Sequence, residues 1–516
     1  MNFPITLDPA TGVPIWKQLF TSLREAILSG RLQPGETMPS TRRLSQSLRI
    51  SRDTVVRCYE DLSAQGYITT IRGGATVVAQ LPSPGPATAS ITASPAPKSE
   101  KNIELSHFAR RMMDLELSRT CTADSQNIMS AAPLDLLPSR LWREIFARHC
   151  SIQDVRTLTQ DEEALGSLHL RESIASYLRR SKALRCDADQ IIVFADSQHP
   201  LDFLVRVLLN PGDTVAVETP GYRGARDNLL SHGVTLQGIP IDEDGLVVGE
   251  LSSISGKCKL AYVTPSHHDP TGVVMSMSRR RQLLSWASRN GAWIVEDAFD
   301  SDYCYGSQPL PALQGMDESE SVIYIYSFWK TLFPLSMIAC LVVPRSLAAM
   351  FHKAKLIIQR NYPVAEYYTL ADFLAEGHLE RHIRKSRDIY AKRRQALLFA
   401  LTQHFKSAVT YYKESAGLHA MIRLDVGVSE EEILGCAAES GLPMMSTKSY
   451  YLSDPLPGEF LIPFAWLKEE FTARAVERLA QLLGINKGIQ SHDGAVYCQN
   501  PGSGQQALAN LNQVDM

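Results

Sequence analysis

The chain has 516 residues, 44% of them hydrophobic, and a formal net charge of −3. That length predicts two or more domains, since a single core rarely exceeds about 250–300 residues. Nine cysteines scattered without C-x-x-C pairs predict reduced thiols in a cytoplasm, the absence of a charged-then-apolar leader predicts a protein that is not secreted, and apolar runs such as Met337–Val343 are too short to span a bilayer.

Ile15, Leu19, Leu23, Ala26 and Ile27 recur at helical spacing, which predicts an amphipathic helix over Pro14–Ser29 with proline at its start. Gly30 and Pro34-Gly35 stop it. Ser40 then caps a short helix with Leu44 and Leu48 on its buried face. Ser51 caps the next, where Val55, Tyr59 and Leu62 point inward, and Gly66 ends it. Tyr67–Ile71, Gly73-Gly74 and Ala75–Val78 read as a two-stranded hairpin. Two capped helices and a hairpin make a winged helix-turn-helix. Its second helix places Ser51, Arg52 and Thr54 at the major groove of double-stranded DNA. Arg42, and Arg72 with Gly73 on the wing, are placed to reach phosphate or a groove edge. Residues 1–80 carry nine basic and six acidic side chains, so the remainder carries −6. A basic head on an acidic body suits a protein that touches DNA through one module.

The segment P-I-W-K-Q-L…L-R-E-A-I-L-S-G-R-L-Q-P-G-E-T-M-P-S-T-R-R-L…S-R-D-T-V…G-Y-I, within Pro14–Val78, resembles the GntR family of bacterial regulators.

Leu81–Glu100 is dominated by proline, alanine and serine and predicts an extended linker. Beyond it, helical patterns alternate with β-branched runs at Ile191–Phe194, Thr214–Glu218, Leu260–Val263, Trp293–Glu296, Ile323–Ser327 and Ile338–Val342. That alternation predicts an α/β domain with a mostly parallel sheet. Asn486–Met516 is polar and predicted to be disordered. The expected domains are therefore a head at 1–80, a linker at 81–101, a body at 102–484 and a tail at 485–516.

The body carries motifs in a fixed order: Asn210-Pro-Gly-Asp213, Pro220-Gly221-Tyr222, Thr264-Pro-Ser-His-His-Asp-Pro-Thr-Gly272, Ile294-Val-Glu-Asp-Ala-Phe-Asp300 and Tyr324-Ile-Tyr-Ser-Phe-Trp-Lys-Thr-Leu-Phe-Pro334. This order resembles the fold-type I pyridoxal-phosphate enzymes. Behind a GntR-like head, and with Phe373-Leu-Ala-Glu-Gly-His-Leu-Glu-Arg-His-Ile-Arg, it resembles the MocR/GabR subfamily of regulators. The resemblance covers nearly all of residues 10–484.

Pyridoxal 5'-phosphate needs a lysine amine for its imine and an acid for its ring nitrogen. The resemblance gives Lys330 the first role, Asp297 the second, and Tyr222 the stacking position on the ring. Four departures accompany these matches. Trp329 replaces the serine before the lysine, and Met337 the arginine seven residues after it; both family residues hold the cofactor phosphate. Asp196-Ser197-Gln198 stands where the family has a glycine-led phosphate turn, leaving Ser197 and Gln198 as remaining donors. Phe299 replaces a tyrosine that contacts the ring hydroxyl. A charge-assisted contact contributes about 1.5–3 kcal/mol, so these losses lower phosphate affinity by roughly a thousandfold. The expectation is a cofactor site that is weakened, altered or lost.

Two arginines, Arg223 and Arg423, are candidates for holding a substrate carboxylate, although a structural place suits both better. His267-His268-Asp269 lacks a further ligand cluster at zinc spacing. His378 and His382, at i and i+4, lack the H-E-x-x-H glutamate. The basic run Arg381–Arg394 reads as a solvated helical face. The leading function is a transcriptional regulator in which an aminotransferase-like body senses a small-molecule effector. The resemblance implies a homodimer, with two heads reading paired half-sites. An aminotransferase with an appended head, and a pocket reassigned to another small molecule, stay open as alternatives.

Overall fold

The computed structural model describes residues 5–71, 74–80, 104–115, 133–150, 165–299, 301–305, 310–359, 363–412 and 416–485. The predicted linker, the predicted tail beyond Ile485, and Arg72 and Gly73 of the wing lie outside the described residues. The chain divides into two compact units, Met1–Glu104 and Leu105–Met516.

In the first unit the capping chemistry acts as expected. Helix α1 spans Ile15–Leu28, α2 Thr41–Leu48 and α3 Arg52–Ala64. Ser40 Oγ accepts from the Arg43 amide at 3.3 Å and Ser51 Oγ from the Thr54 amide at 3.1 Å, which satisfies amides that a helix start leaves without partners. Leu19, Leu23, Val55, Cys58 and Leu62 are buried between the helices. The Tyr59 hydroxyl donates to the Pro39 carbonyl at 2.9 Å and ties α3 to the entry of α2. The wing strands, β1 (Ile68–Thr70) and β2 (Thr76–Val78), pair antiparallel with Ile68 opposite Val78.

The body is built on an eight-stranded sheet. Its strands are β3 (Ile191–Phe194), β4 (Thr214–Thr219), β5 (Thr235–Asp242), β6 (Gly245–Leu246), β7 (Cys258–Val263), β8 (Trp293–Asp297), β9 (Val322–Ser327) and β10 (Ala339–Val342). They lie in the order β3-β10-β9-β8-β7-β4-β5-β6. The block β9-β8-β7-β4-β5 is parallel, while β10 runs antiparallel to both β9 and β3. The six predicted strands are all present. Strand β5 was not predicted: it mixes threonine, glutamine, glycine and proline, and its burial alternates because it lies outside the fully covered centre.

A second, four-stranded antiparallel sheet has the order β11-β12-β14-β13, from Val409–Tyr411, Ala420–Leu424, Glu459–Ile462 and Met445–Ser446. Its short strands give little period-2 signal, and only Met421–Leu424, the stretch that carries Arg423, reads as a strand in the sequence. This sheet shares a core with the helices His378–Phe405 and Glu469–Leu482, through Tyr390, Leu397, Ile422, Phe460 and Val476.

Candidate functional site

Both β3 and β9 run antiparallel to β10, so β3, β4, β7, β8 and β9 all end on one edge of the sheet. In open α/β sheets that edge, where the strand order reverses, is where ligands bind. The sequence-predicted residues converge there. Asp297 closes β8, and Ser327 closes β9. Lys330 lies on the short helix Trp329–Leu332 just beyond β9. Asp196, Ser197 and Gln198 connect β3 to the helix His199–Leu208. Tyr222 follows β4. All of them, with Phe299, Trp329 and Met337, line one cavity of about 550 Å3.

The lysine turn is held from two sides. The Trp329 amide donates to Ser327 Oγ at 3.1 Å. Buried His382 contacts the Thr331 carbonyl through Nε2 at 3.0 Å, as an N–H donor, and burial lowers its pKa so that the ring stays neutral. The i, i+4 histidine pair therefore has a packing role on one member: His378 contacts Glu376 at 2.8 Å instead. Lys330 Nζ lies 5.2 Å from the ring centres of both Phe299 and Trp329, within cation–π range.

At the ring end, Asp297 accepts a short hydrogen bond from the Tyr262 hydroxyl. Sequence reading missed Tyr262 because it sits inside the buried strand β7, where a tyrosine reads as core. Burial and then the Asp297 charge raise its pKa well above the usual range and keep it a donor. The Tyr222 hydroxyl accepts from Gln198 Nε2 at 2.7 Å. His419, Met445 and Tyr450, also missed, come from the C-terminal layer. Gly417 brings that layer in: at φ +86°, a Cβ there would lie 2.1 Å from the His267 ring, so only glycine fits.

At the other end, Asp196 Oδ1 accepts from the Gln198 amide at 2.8 Å. Of the two residues expected as remaining donors, Ser197 and Gln198, the second thus has its backbone amide engaged by Asp196 and one side-chain N–H by Tyr222. Asp196, Asp269 and Asp297 line the cavity, and no arginine does so among the described residues. Arg223 pairs with Asp227 at 3.1 Å, and Arg423 is exposed on β12; neither lines the cavity. A lysine amine, an aspartate and a stacking tyrosine are thus present for a pyridoxal group, while the described lining holds three carboxylates and no arginine for a phosphate, which needs donors and positive charge.

Beneath the cavity, Glu218 accepts from the Thr264 amide at 3.0 Å and its hydroxyl at 2.7 Å, with His268 Nε2 at 3.6 Å. Burial pushes the Glu218 carboxyl up to about 8 and the His268 imidazole down to about 3. Among the described residues no cluster suits a metal ion, and His267-His268-Asp269 is simply buried in the loop. A raised acid stabilises the fold below pH 4.5, and that stability is lost as pH rises through 8. Glu218→Gln is expected to flatten this dependence and to stabilise the protein at pH 9 relative to pH 5 by about 4 kcal/mol, since any loss of Thr264 bonding is the same at both pH values. Denaturant midpoints at the two pH values check it.

In the head, Arg42 and Arg52 are exposed. Ser51 and Thr54 hydroxyls lie 2.7 Å apart and bond each other, so their first role is to fix the start of α3. Arg43 and Arg49 are exposed beside them; Arg49 closes α2 at φ 54°. The expected solvated face of the basic run is broken by Arg393, which is buried and donates to the Ala465 carbonyl.

Residues 16–78 match the bacterial regulatory proteins of the gntR family, and residues 114–479 match aminotransferase class I and II. Over 461 residues the chain is 34% identical to the probable rhizopine catabolism regulatory protein MocR of Rhizobium meliloti, covering 89% of this chain and 91% of that protein. The chain belongs to the MocR-type GntR regulators. The pyridoxine biosynthesis transcriptional regulator PdxR of Corynebacterium glutamicum is 28% identical over 453 residues, covering 87% of this chain and 92% of that one. Among solved structures, Pyrococcus horikoshii kynurenine aminotransferase matches with a TM-score of 0.63 at 24% identity, covering 76% of this chain and 96% of that one. Thermus thermophilus α-aminoadipate aminotransferase LysN matches at 0.65 and 23%, covering 74% and 98%. Both share the fold of the body of this MocR-type chain.

Proposed function

We propose that the head reads operator DNA through α3 and that the body senses a small molecule in the Lys330 cavity. The observation that carries this is the pairing of an exposed, serine-capped recognition helix with a cavity that keeps the lysine and aspartate of a pyridoxal site while lacking an arginine among its described lining residues. Phosphate binding is weakened at Asp196, Trp329 and Met337, and amino-acid turnover lacks a carboxylate clamp there. The resemblance supports a homodimer, in which two heads address paired half-sites. A cytoplasmic location fits a DNA-binding protein, and among the described residues no helix is long and apolar enough to cross a membrane. A ligand switches such a dimer only by binding its two arrangements unequally.

Arg52→Ala is expected to weaken binding to the mapped operator by about 10- to 100-fold, the range for losing one base contact, with little effect on non-specific DNA. Fluorescence anisotropy with both DNAs measures this; equal binding by both proteins removes α3 from the interface. The convergence of Lys330 and Asp297 in one cavity favours a second reading, a working aminotransferase. Sustained keto-acid formation from an amino-acid panel, abolished by Lys330→Ala, would establish it.

A further inference from the structure

The cavity lining carries two kinds of chemistry. Lys330, Asp297 with its Tyr262 donor, Tyr222 and Phe299 suit a flat aromatic ring with a carbonyl group and a basic nitrogen. Asp196, Trp329 and Met337, at the positions where the resembled enzymes hold the cofactor phosphate, present a carboxylate, an indole and a thioether. A carboxylate only accepts hydrogen bonds; it repels a phosphate dianion and welcomes a hydroxyl.

We propose that the body binds an unphosphorylated aromatic aldehyde, pyridoxal being the simplest that fits, in preference to its phosphate ester. This rests on the reading of the body as a sensor. Asp196 takes the hydrogen bond of the ligand's hydroxymethyl group where a phosphate would otherwise lie. That contact has a second effect. In water this hydroxyl closes on the neighbouring aldehyde as a cyclic hemiacetal, and engaging it with Asp196 leaves the aldehyde open to Lys330. The lysine nitrogen then adds to the aldehyde carbon, the carbon–oxygen bond breaks, and water leaves. Overall one ammonium and one aldehyde become one protonated imine and one water, with no oxidant or reductant. Asp297 stands ready to pair with a protonated ring nitrogen, and Trp329 covers space that a phosphate group needs.

The test titrates the full chain separately with pyridoxal and with pyridoxal phosphate. Imine absorbance gives each affinity; borohydride reduction and peptide mass analysis locate the adduct, with Lys330→Ala as the blank. Pyridoxal is expected to bind about tenfold or more tightly than its phosphate. Asp196→Asn, which keeps an acceptor for the Gln198 amide, is expected to narrow that preference. Trp329→Ser combined with Met337→Arg is expected to reverse it. Equal or tighter binding of the phosphate by the unmodified chain overturns the proposal, as does failure of pyridoxal to label Lys330. Operator binding is measured on the same preparation: retained DNA binding without an adduct removes this proposal and leaves the regulator reading standing.

Discussion

Asp302→Ala is expected to destabilise the body by about 3–5 kcal/mol, the range for stripping one partner from a buried ion pair. Asp302 is almost fully buried and sits 2.7 Å from Lys182 Nζ. Its carboxylate also accepts from the Tyr177 hydroxyl at 2.9 Å and the Tyr326 hydroxyl at 2.7 Å. Alanine leaves a buried ammonium without its counter-charge and leaves the two hydroxyls, 3.0 Å apart, only each other as partners. Burial raises both tyrosine pKa values well above the usual range, so neither ionises to compensate. Urea unfolding followed by circular dichroism measures the loss. The double change Lys182→Met with Asp302→Leu should recover much of it, because the uncompensated charge is then gone. A loss under 1 kcal/mol for the single variant would show that the pair is not buried in solution. The effect also reaches the site. Tyr326 precedes Ser327 at the end of β9, so this network fixes the strand that aims Lys330.

Lys355→Met is expected to do the opposite and stabilise the protein at neutral pH. Lys355 is 2% exposed, its Nζ 3.8 Å from the Phe194 ring centre and 2.5 Å from Gln359 Oε1. Burial lowers its pKa from 10.5 to about 7. The sign follows from proton linkage. Above pH 10.5 the amine is neutral in folded and unfolded chains alike and costs nothing electrostatically. As pH falls toward 7 the unfolded chain binds a proton that the folded chain resists, so stability declines across that window and levels off below it. At about 1.4 kcal/mol per pH unit, methionine should gain roughly 3–5 kcal/mol at pH 7 and nearly nothing at pH 10.5. Melting curves across pH 6–10.5 test this; a gain independent of pH would assign the effect to packing and not to charge.

The head was legible almost residue by residue because its signals are local. Serine caps, glycine stops and helical spacing act within a few positions, and Ser40, Ser51 and Gly66 do what their chemistry dictates. The six central strands were legible because burial on both faces leaves continuous β-branched runs. Strand β5 and the other three strands of the second sheet were not, since short or half-exposed strands lack that composition. In the site, residues carried by motifs, such as Lys330 and Asp297, could be placed in advance. Tyr262, His382 and His419 could not: each reaches the site or its supports through distant chain segments, and only the folded register brings them in. Ser51 and Thr54 were legible as groove-facing residues and Gln198 as a donor, but not the bonds that they make to their neighbours.

The bond from the Gln198 amide to Asp196 bears on what state the protein rests in. A pocket that relies on its ligand's anion to satisfy helix-start amides is incomplete when empty, and buried amides without partners are costly. Here the chain supplies its own anion to one amide, that of Gln198. An enzyme with a resident cofactor has no use for such self-sufficiency. On the sensor reading proposed above, Asp196 holds the start of this helix whether or not a ligand is bound.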